Sequence, residues 1–244
     1  MEPIYRETFR VAGNHVDRYS RLKPSALLDM LQQVATSQCA LLDLGWAKMA
    51  ERRLFWAVTR QHIQITRLPM AGETITLETW PGITSRVAYP RSTVAYDTKG
   101  NELFRAISLW VLMNMDSRTM VLPGKSGVEV TGIERGNELA VPGSLAPVKL
   151  AGDRQRTVVY SELDCNGHMS NTRYLDWMMD LLPSSFHENH PLVDFTVTYL
   201  SEAREGETVD LSYELTPEGQ LRLEATTDQD GSAHRVFAVR AAFC

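Results

Sequence analysis

"VYSELDCNGHMSNTRYLDWM", residues 159 to 178, has an echo near the start of the chain, "RYSRLKPSALLDML" at 18 to 31. Both read Tyr-Ser-x-Leu and then a helix-forming run that contains Leu-Asp. Two further pairs follow in the same order. "AGETITLET" (71–79) matches "EGETVDLSY" (205–213), and "DTKGNELFRAISLWVL" (97–112) matches "DQDGSAHRVFAVRAAF" (228–243), each of the last two a turn between strands. A chain that runs helix, then strands, and then repeats itself is a duplicated domain, and such repetition decides the fold before local detail does. Between the copies, "PGKSGVEVTGIERGNELAVPGSLAPVKLAGDRQ" is rich in Gly and Pro and keeps no period, which predicts a linker with at most a short strand or two. The expected organisation is a first domain over 1–124, a linker over 125–150 and a second domain over 151–244.

The elements inside each copy are legible. In the first, Pro24 suits an opening helical turn, and Leu28, Leu31, Ala35, Cys39 and Leu42 recur near the helical period. In the second, Ser170 or Asn171 is placed to cap a helix, Tyr174, Trp177, Met178 and Leu181 form one stripe, and Pro183 stops it. Aromatics on such a stripe are core. Strand alternation appears at Ile75, Leu77 and Thr79, at Phe195, Val197 and Tyr199, and at Val209, Leu211, Tyr213 and Leu215. A run of antiparallel strands beside one long helix must bury its apolar face on that helix. The fold class is therefore α+β: two tandem domains, each a long helix wrapped by an antiparallel sheet, paired as a pseudo-dimer.

Composition bounds the function. The 244 residues are 43% hydrophobic and 23% charged, enough for a real core. No run approaches the roughly 18 apolar residues of a membrane span, and "MEPIYRETFR" shows no signal or transit character. Cys39, Cys165 and Cys244 have neither metal spacing nor a disulfide framework, so reduced thiols and a cytoplasmic location are expected. His187 and His190 have ligand-like spacing but no Cys or carboxylate cluster beside them, and read as surface loop. A net charge of −5 argues against nucleic acid as a partner. The charge is uneven: residues 1–122 carry 15 Lys/Arg against 11 Asp/Glu, and residues 123–244 carry 10 against 19. A basic half can steer an acidic partner, although charge that merely solvates a surface gives the same asymmetry.

The copies differ most where "DCNGHMSN" stands. From Tyr19 to Leu28 is 9 positions and from Tyr160 to Leu175 is 15, so six residues look inserted into the second copy alone. The bland reading is a polar turn leading into a helix cap, which Asp, Asn, Gly and Ser favour for local reasons. In extended backbone, however, Asp164, Asn166 and His168 share a face and Cys165 and Gly167 point the other way. Three hydrogen-bonding groups converging beside a helix start suit acyl transfer.

These motifs resemble the acyl-acyl carrier protein (acyl-ACP) thioesterases, a family built of two hotdog domains, each a long helix wrapped in antiparallel sheet. The resemblance spans nearly the whole chain. "FWAVTRQHIQITRLPMAGETITLETW" and "RAISLWVLMNMDSR" are similar to the family's first-half strands, "LDCNGHMSNTRYLDW" to its Asp-x-Asn-x-His-x-x-Asn motif, and "YLSEAREGE" to the segment that carries its catalytic Glu. It implies hydrolysis of a fatty acyl thioester of acyl carrier protein, without metal or cofactor. Asn166 and His168 would donate to the carbonyl oxygen, backbone N–H groups near Asn171 would assist, and Glu202 would activate water. Asp164 would either orient His168 or attack the carbonyl. Some members carry a Cys just after the Glu; Ala203 stands there, removing that thiol from the chemistry. The first domain would house the acyl chain, with Trp46 and Trp56 as candidate wall residues. Arg52, Arg53, Arg173 and Arg204 are candidates for the phosphopantetheine phosphate or the carrier's acidic surface. A homodimer stays open. So do three rival activities: the same hydrolysis on acyl-CoA, a hotdog enoyl-thioester dehydratase or hydratase, and a non-catalytic acyl-carrier binding module.

Overall fold

A computed structural model describes residues 3–229 and 231–244, so Asp230 of the last repeat pair lies outside the described residues. The chain divides into two units, Met1–Pro142 and Gly143–Cys244. In the first unit, β1 (Tyr5–Arg10), β2 (Leu54–Ile65), β3 (Thr74–Pro81), β4 (Tyr89–Asp97) and β5 (Glu102–Asn114) pair antiparallel in the order β1-β3-β4-β5-β2, with a two-residue β6 (Met120–Val121) on β5. The helices are α1 (Pro24–Leu41), α2 (Trp46–Glu51) and α3 (Pro123–Ser126). Pro24 occupies the first turn of α1, where its missing N–H costs nothing. Leu27, Leu28, Leu31, Val34 and Ala35 bury one face, each of the larger ones contributing about 1.5–3 kcal/mol. Leu42, expected on the same stripe, instead follows the helix end and is exposed. Ile75, Leu77 and Thr79 are buried together, as their alternation predicts.

In the second unit, β7 (Gly152–Thr157), β8 (Leu192–Tyr199), β9 (Thr208–Leu215), β10 (Gln220–Gln229) and β11 (Ser232–Phe243) pair antiparallel as β8-β11-β10-β9-β7. The helix expected here is α4 (Arg173–Asp180), shorter than the long helix of the expected architecture; it stops ahead of Pro183, as expected, and a separate α5 (Ser184–Asn189) follows. Pro183 is the cause: it cannot continue a helix and biases the residue before it away from helical backbone. The cap expected from Ser170 or Asn171 is also absent, since Thr172 is the N-cap and no side chain closes it. Tyr174, Leu175, Trp177 and Met178 are buried, and Phe195, Val197 and Phe237 are buried in the same unit.

The stretch expected as a linker is mostly bound to the two sheets. Asn137 is buried and donates to the Ala106 carbonyl at 2.6 Å, Arg105 donates to the Asn137 carbonyl at 2.9 Å, and Ile133 N–H donates to Pro81 at 3.0 Å. The Trp80 indole donates to the Arg135 carbonyl, while the Arg135 guanidinium lies 4.4 Å from the Trp80 ring centroid. Gly132 permits this approach, because a Cβ there would fall 2.0 Å from the Gly82 carbonyl oxygen. In the second unit, Arg235 chelates the buried Glu224 and also donates to the Leu145 carbonyl at 2.9 Å. Lack of periodicity hid this, since a strap held by side chains and carbonyls needs no period.

The expected six-residue insertion is not there. Residues 11–24 and 158–171 follow one hydrogen-bond plan. Asp17 N–H donates to the Arg21 carbonyl at 2.8 Å and Asp164 N–H to the His168 carbonyl at 2.7 Å. Ser20 N–H closes on the Asp17 carbonyl, and Gly167 N–H on that of Asp164, both at 3.0 Å. Ser20 and Gly167 both take left-handed backbone, φ 64° and 76°. Bridges Val16↔Leu22 and Arg21↔Met70 in the first unit match Leu163↔Met169 and His168↔Arg204 in the second. The Tyr-Ser echo was therefore out of register. Asp17, Tyr19 and Arg21 correspond to Asp164, Asn166 and His168, and Leu28-Asp29 to Leu175-Asp176 at the same offset.

Candidate active site

The backbone of 163–169 is a tight turn, not the extended chain that alternation assumed, and convergence is achieved by the turn itself. The Asp164 carboxylate organises it. Its Oδ1 accepts the N–H of Asn166 at 2.8 Å and of His168 at 3.3 Å, and its Oδ2 accepts the Asn166 side-chain amide at 3.2 Å. An Asp accepting backbone N–H groups two and four residues on is a local turn-former. Gly167, with no Cβ, carries the positive φ that the fourth position needs.

Glu202 is brought in from another segment. Met169 N–H donates to the Ala203 carbonyl at 2.8 Å and His168 bridges Arg204, so the strand-like stretch 202–204 is laced to the far side of the turn. This leaves His168 Nε2 3.2 Å from Glu202 Oε2, with side-chain exposures of 14% and 44%. The ring partner of His168 is thus Glu202, and Asp164 holds only its backbone. Asn166 and Asp164 are exposed.

Buried and half-buried side chains lie around this pair, and sequence reasoning gave them no part in the site. Ala203 is fully buried, and the Tyr174 hydroxyl bonds to its backbone. Tyr199 bonds to the Asn171 side chain, and burial pushes both Tyr hydroxyls well above the ordinary range, so they stay neutral donors or acceptors. Glu162 accepts the Trp177 indole N–H at 2.6 Å and the Val159 N–H at 3.0 Å, tying the approach of the turn to α4. Tyr174 and Tyr199 carried a signal, their place on the apolar stripes. Glu162 carried none.

The remaining candidates are scattered. Arg173 pairs with Asp176 at 3.2 Å, and its N–H is taken by the Ser170 carbonyl. Arg204 is exposed. In the first unit Arg52 donates to the Gly127 carbonyl at 3.0 Å and Arg53 pairs with Asp116. Trp46 stands 64% exposed at the start of α2. Trp56 packs against Leu44, Met49, Leu54 and Leu112, edge-on to Tyr89 at 4.9 Å, and donates to the Leu44 carbonyl at 2.9 Å. Only Trp56 therefore lies among apolar side chains. Cys165 is exposed at the tip of the turn, and Cys39 is a half-buried thiol whose pKa burial raises, Arg91 pulling partly back. Among the described residues no three His, Cys, Asp or Glu stand together as a metal site, and no helix is long and apolar enough to cross a membrane.

The family models for the acyl-ACP thioesterase N-terminal and C-terminal domains match residues 2–122 and 147–240. The chain belongs to the acyl-ACP thioesterases. Each unit is accordingly a hotdog domain. An acyl-ACP thioesterase from Bacteroides thetaiotaomicron is similar in structure, with a TM-score of 0.89 at 23% identity over 99% of this chain and 98% of that one. A 12:0-ACP thioesterase from Umbellularia californica gives 0.82 at 21% identity over 100% and 98%. Among sequence relatives, the chloroplastic dodecanoyl-[acyl-carrier-protein] hydrolase of Cinnamomum camphora is 25% identical over 82% of this chain and 56% of its own length. The chloroplastic oleoyl-acyl carrier protein thioesterase 1 of Arabidopsis thaliana is 26% identical over 93% and 68%. The chain thus spans about half the length of the curated relatives it matches first.

Proposed function

We propose that this protein hydrolyses the thioester of a fatty acyl-acyl carrier protein, releasing the fatty acid, with the chemistry at the second-unit turn. The observation that carries this reading is the 3.2 Å contact of His168 Nε2 with Glu202 Oε2, built by two laced segments beside Asn166. Thioester hydrolysis asks for little else. A thiol with an ordinary pKa near 8.5 leaves readily as thiolate, so the enzyme must chiefly deliver water and stabilise an oxyanion.

In this reading Glu202 takes a proton from water as the water attacks the acyl carbonyl, and His168 holds the carboxylate in place. The Asn166 amide nitrogen has two hydrogens. Asp164 accepts one, which aims the other outward at the carbonyl oxygen, where negative charge develops. Asp164 is then an orienter and not a nucleophile. The tetrahedral intermediate collapses with loss of the carrier's thiolate.

The same 3.2 Å contact supports a second assignment of the base. If His168 donates its Nε2 hydrogen to Glu202, its Nδ1 is left as an acceptor able to take the proton from water. Removal of the true base costs on the order of 10²–10⁴ in kcat and loss of its orienter less. If Glu202→Gln loses more than His168→Ala, the carboxylate is the base. The reverse order makes it the imidazole.

The activity itself is tested by counting thiol released from matched acyl-ACP and acyl-CoA substrates. Acyl-ACP is expected to be cleaved with kcat/KM at least about tenfold higher. Equal or better cleavage of acyl-CoA removes the carrier from this reading, and no thiol from either substrate makes the protein a binding module.

A further inference from the structure

The first-unit turn keeps the backbone of the catalytic turn and none of its chemistry, since Tyr19, Arg21 and Leu68 occupy the places of Asn166, His168 and Glu202. What replaces that chemistry is cationic. Residues 10–23 and 67–73 carry five Lys or Arg against two Asp or Glu, whereas the corresponding 157–170 and 201–207 carry one against five. Arg18 and Arg21 lie 5.6 and 4.7 Å from the Tyr19 ring centroid, and Arg21 is further fixed by Asp17 at 3.0 Å. The patch's other acid, Glu73, is engaged by Arg67 at 2.8 Å. The two acids are thus already occupied, and the charge excess rests with Arg10, Arg18 and Lys23. Arg10 and Arg18 are exposed.

We propose that this first-unit turn is the docking surface for the acidic face of the carrier protein that delivers the acyl chain. The inference rests on the carrier-thioesterase reading above and adds the place of recognition. One copy of the duplicated turn keeps the reaction, and the other has been turned over to holding the partner. An excess of positive charge raises the encounter rate with an acidic protein. The Arg18 guanidinium, already held over the Tyr19 ring, presents carboxylates with a donor fork, so less side-chain entropy is lost on docking. Arg and Tyr are also among the residue types that dominate interface energies. The matching segments of the second unit, with one Arg against five Asp or Glu, offer an acidic carrier no such excess of positive charge.

The test compares kcat/KM on acyl-ACP with kcat/KM on the acyl thioester of N-acetylcysteamine, which has neither carrier nor phosphate. The ratio of the two is expected to fall at least about tenfold in the Arg18→Glu/Lys23→Glu variant and again in Arg10→Glu, with a shallower salt dependence of the acyl-ACP rate. Lys125→Glu, an exposed charge reversal elsewhere in the same unit, should change the ratio less than twofold. Ratios within twofold of wild type for both patch variants overturn the proposal, as does an equal fall in Lys125→Glu. If acyl-CoA cleavage falls in step with acyl-ACP, the patch reads phosphate and carrier docking is wrong. Failure of the underlying reading shows separately, in the wild-type protein, as no preference for acyl-ACP over N-acetylcysteamine thioester.

Discussion

In the first unit Asp17 accepts the N–H groups of Tyr19 and Arg21 at 2.8 and 3.0 Å; in the second Asp164 accepts those of Asn166 and His168 at 2.8 and 3.3 Å. The frames agree and the side chains do not. A frame of this kind needs an Asp at its first position and a residue able to adopt positive φ at its fourth, and Ser20 and Gly167 both meet the second condition. Every other position is then open to change. Reactivity at 164–168 and basicity at 17–21 are two uses of one backbone.

Substitutions at matched positions can break or sharpen that comparison. The largest effect is expected at the position where the units differ most in kind: Glu202→Gln should lose on the order of 10³ in single-turnover hydrolysis while acyl-ACP binding persists, because the amide cannot take a proton. Hydrolysis at a tenth of the wild-type rate or better would sink the base assignment. Asn166→Ala and His168→Ala should each lose roughly 10²-fold with Tm little changed. Near-wild-type rates in both would leave the motif a structural turn held by Asp164. Where the frames agree, effects should agree as well. Asp17→Ala and Asp164→Ala should each cost about 1–2 kcal/mol of stability, read from denaturant midpoints, since each leaves turn N–H groups without their acceptor. A cost confined to one of them would show that the frames are not equivalent.

Smaller still is the effect at the fourth position. Gly167→Ala should destabilise by about 1 kcal/mol, and Ser20→Gly should be neutral or mildly stabilising, since only Gly escapes the steric cost of left-handed backbone. The smallest change is reserved for Cys165→Ser, which should retain at least about a third of wild-type kcat, a barrier change below roughly 0.7 kcal/mol. A thousandfold loss, or an acyl group trapped on Cys165 in a mass spectrum, would make this a cysteine enzyme.

Much of this was legible from residues. Helix periodicity located α1, strand alternation located β3, β8 and β9, and the Asp-x-Asn-x-His run marked the turn. The equivalence of the two turns was hidden because backbone hydrogen bonds maintain it, and Asp17 and Asp164 are the matched side chains that serve it. The chance Tyr-Ser match then supplied a false register. The His168–Glu202 contact was hidden for a different reason. It depends on the bridge from His168 to Arg204, a pairing between segments far apart in the chain that no local pattern encodes. The end of α4 was legible in Pro183, while the short α5 beyond it carried no periodic signal.

The strap across the first sheet carries a consequence for anyone who cuts this chain in two. A fragment ending at Val121 or Leu122, where the strands finish, would strip the Trp80 indole of its acceptor and bare the sheet face that Asn137 closes. The same loss need not involve a cut at the gene level. A protease nick between Gly132 and Asn137 should loosen the first unit without touching a single strand, and Trp80, released from the guanidinium stacked on it, should report the event by a change in its emission. The segment that looked most dispensable in the sequence is where the first unit is easiest to unfasten.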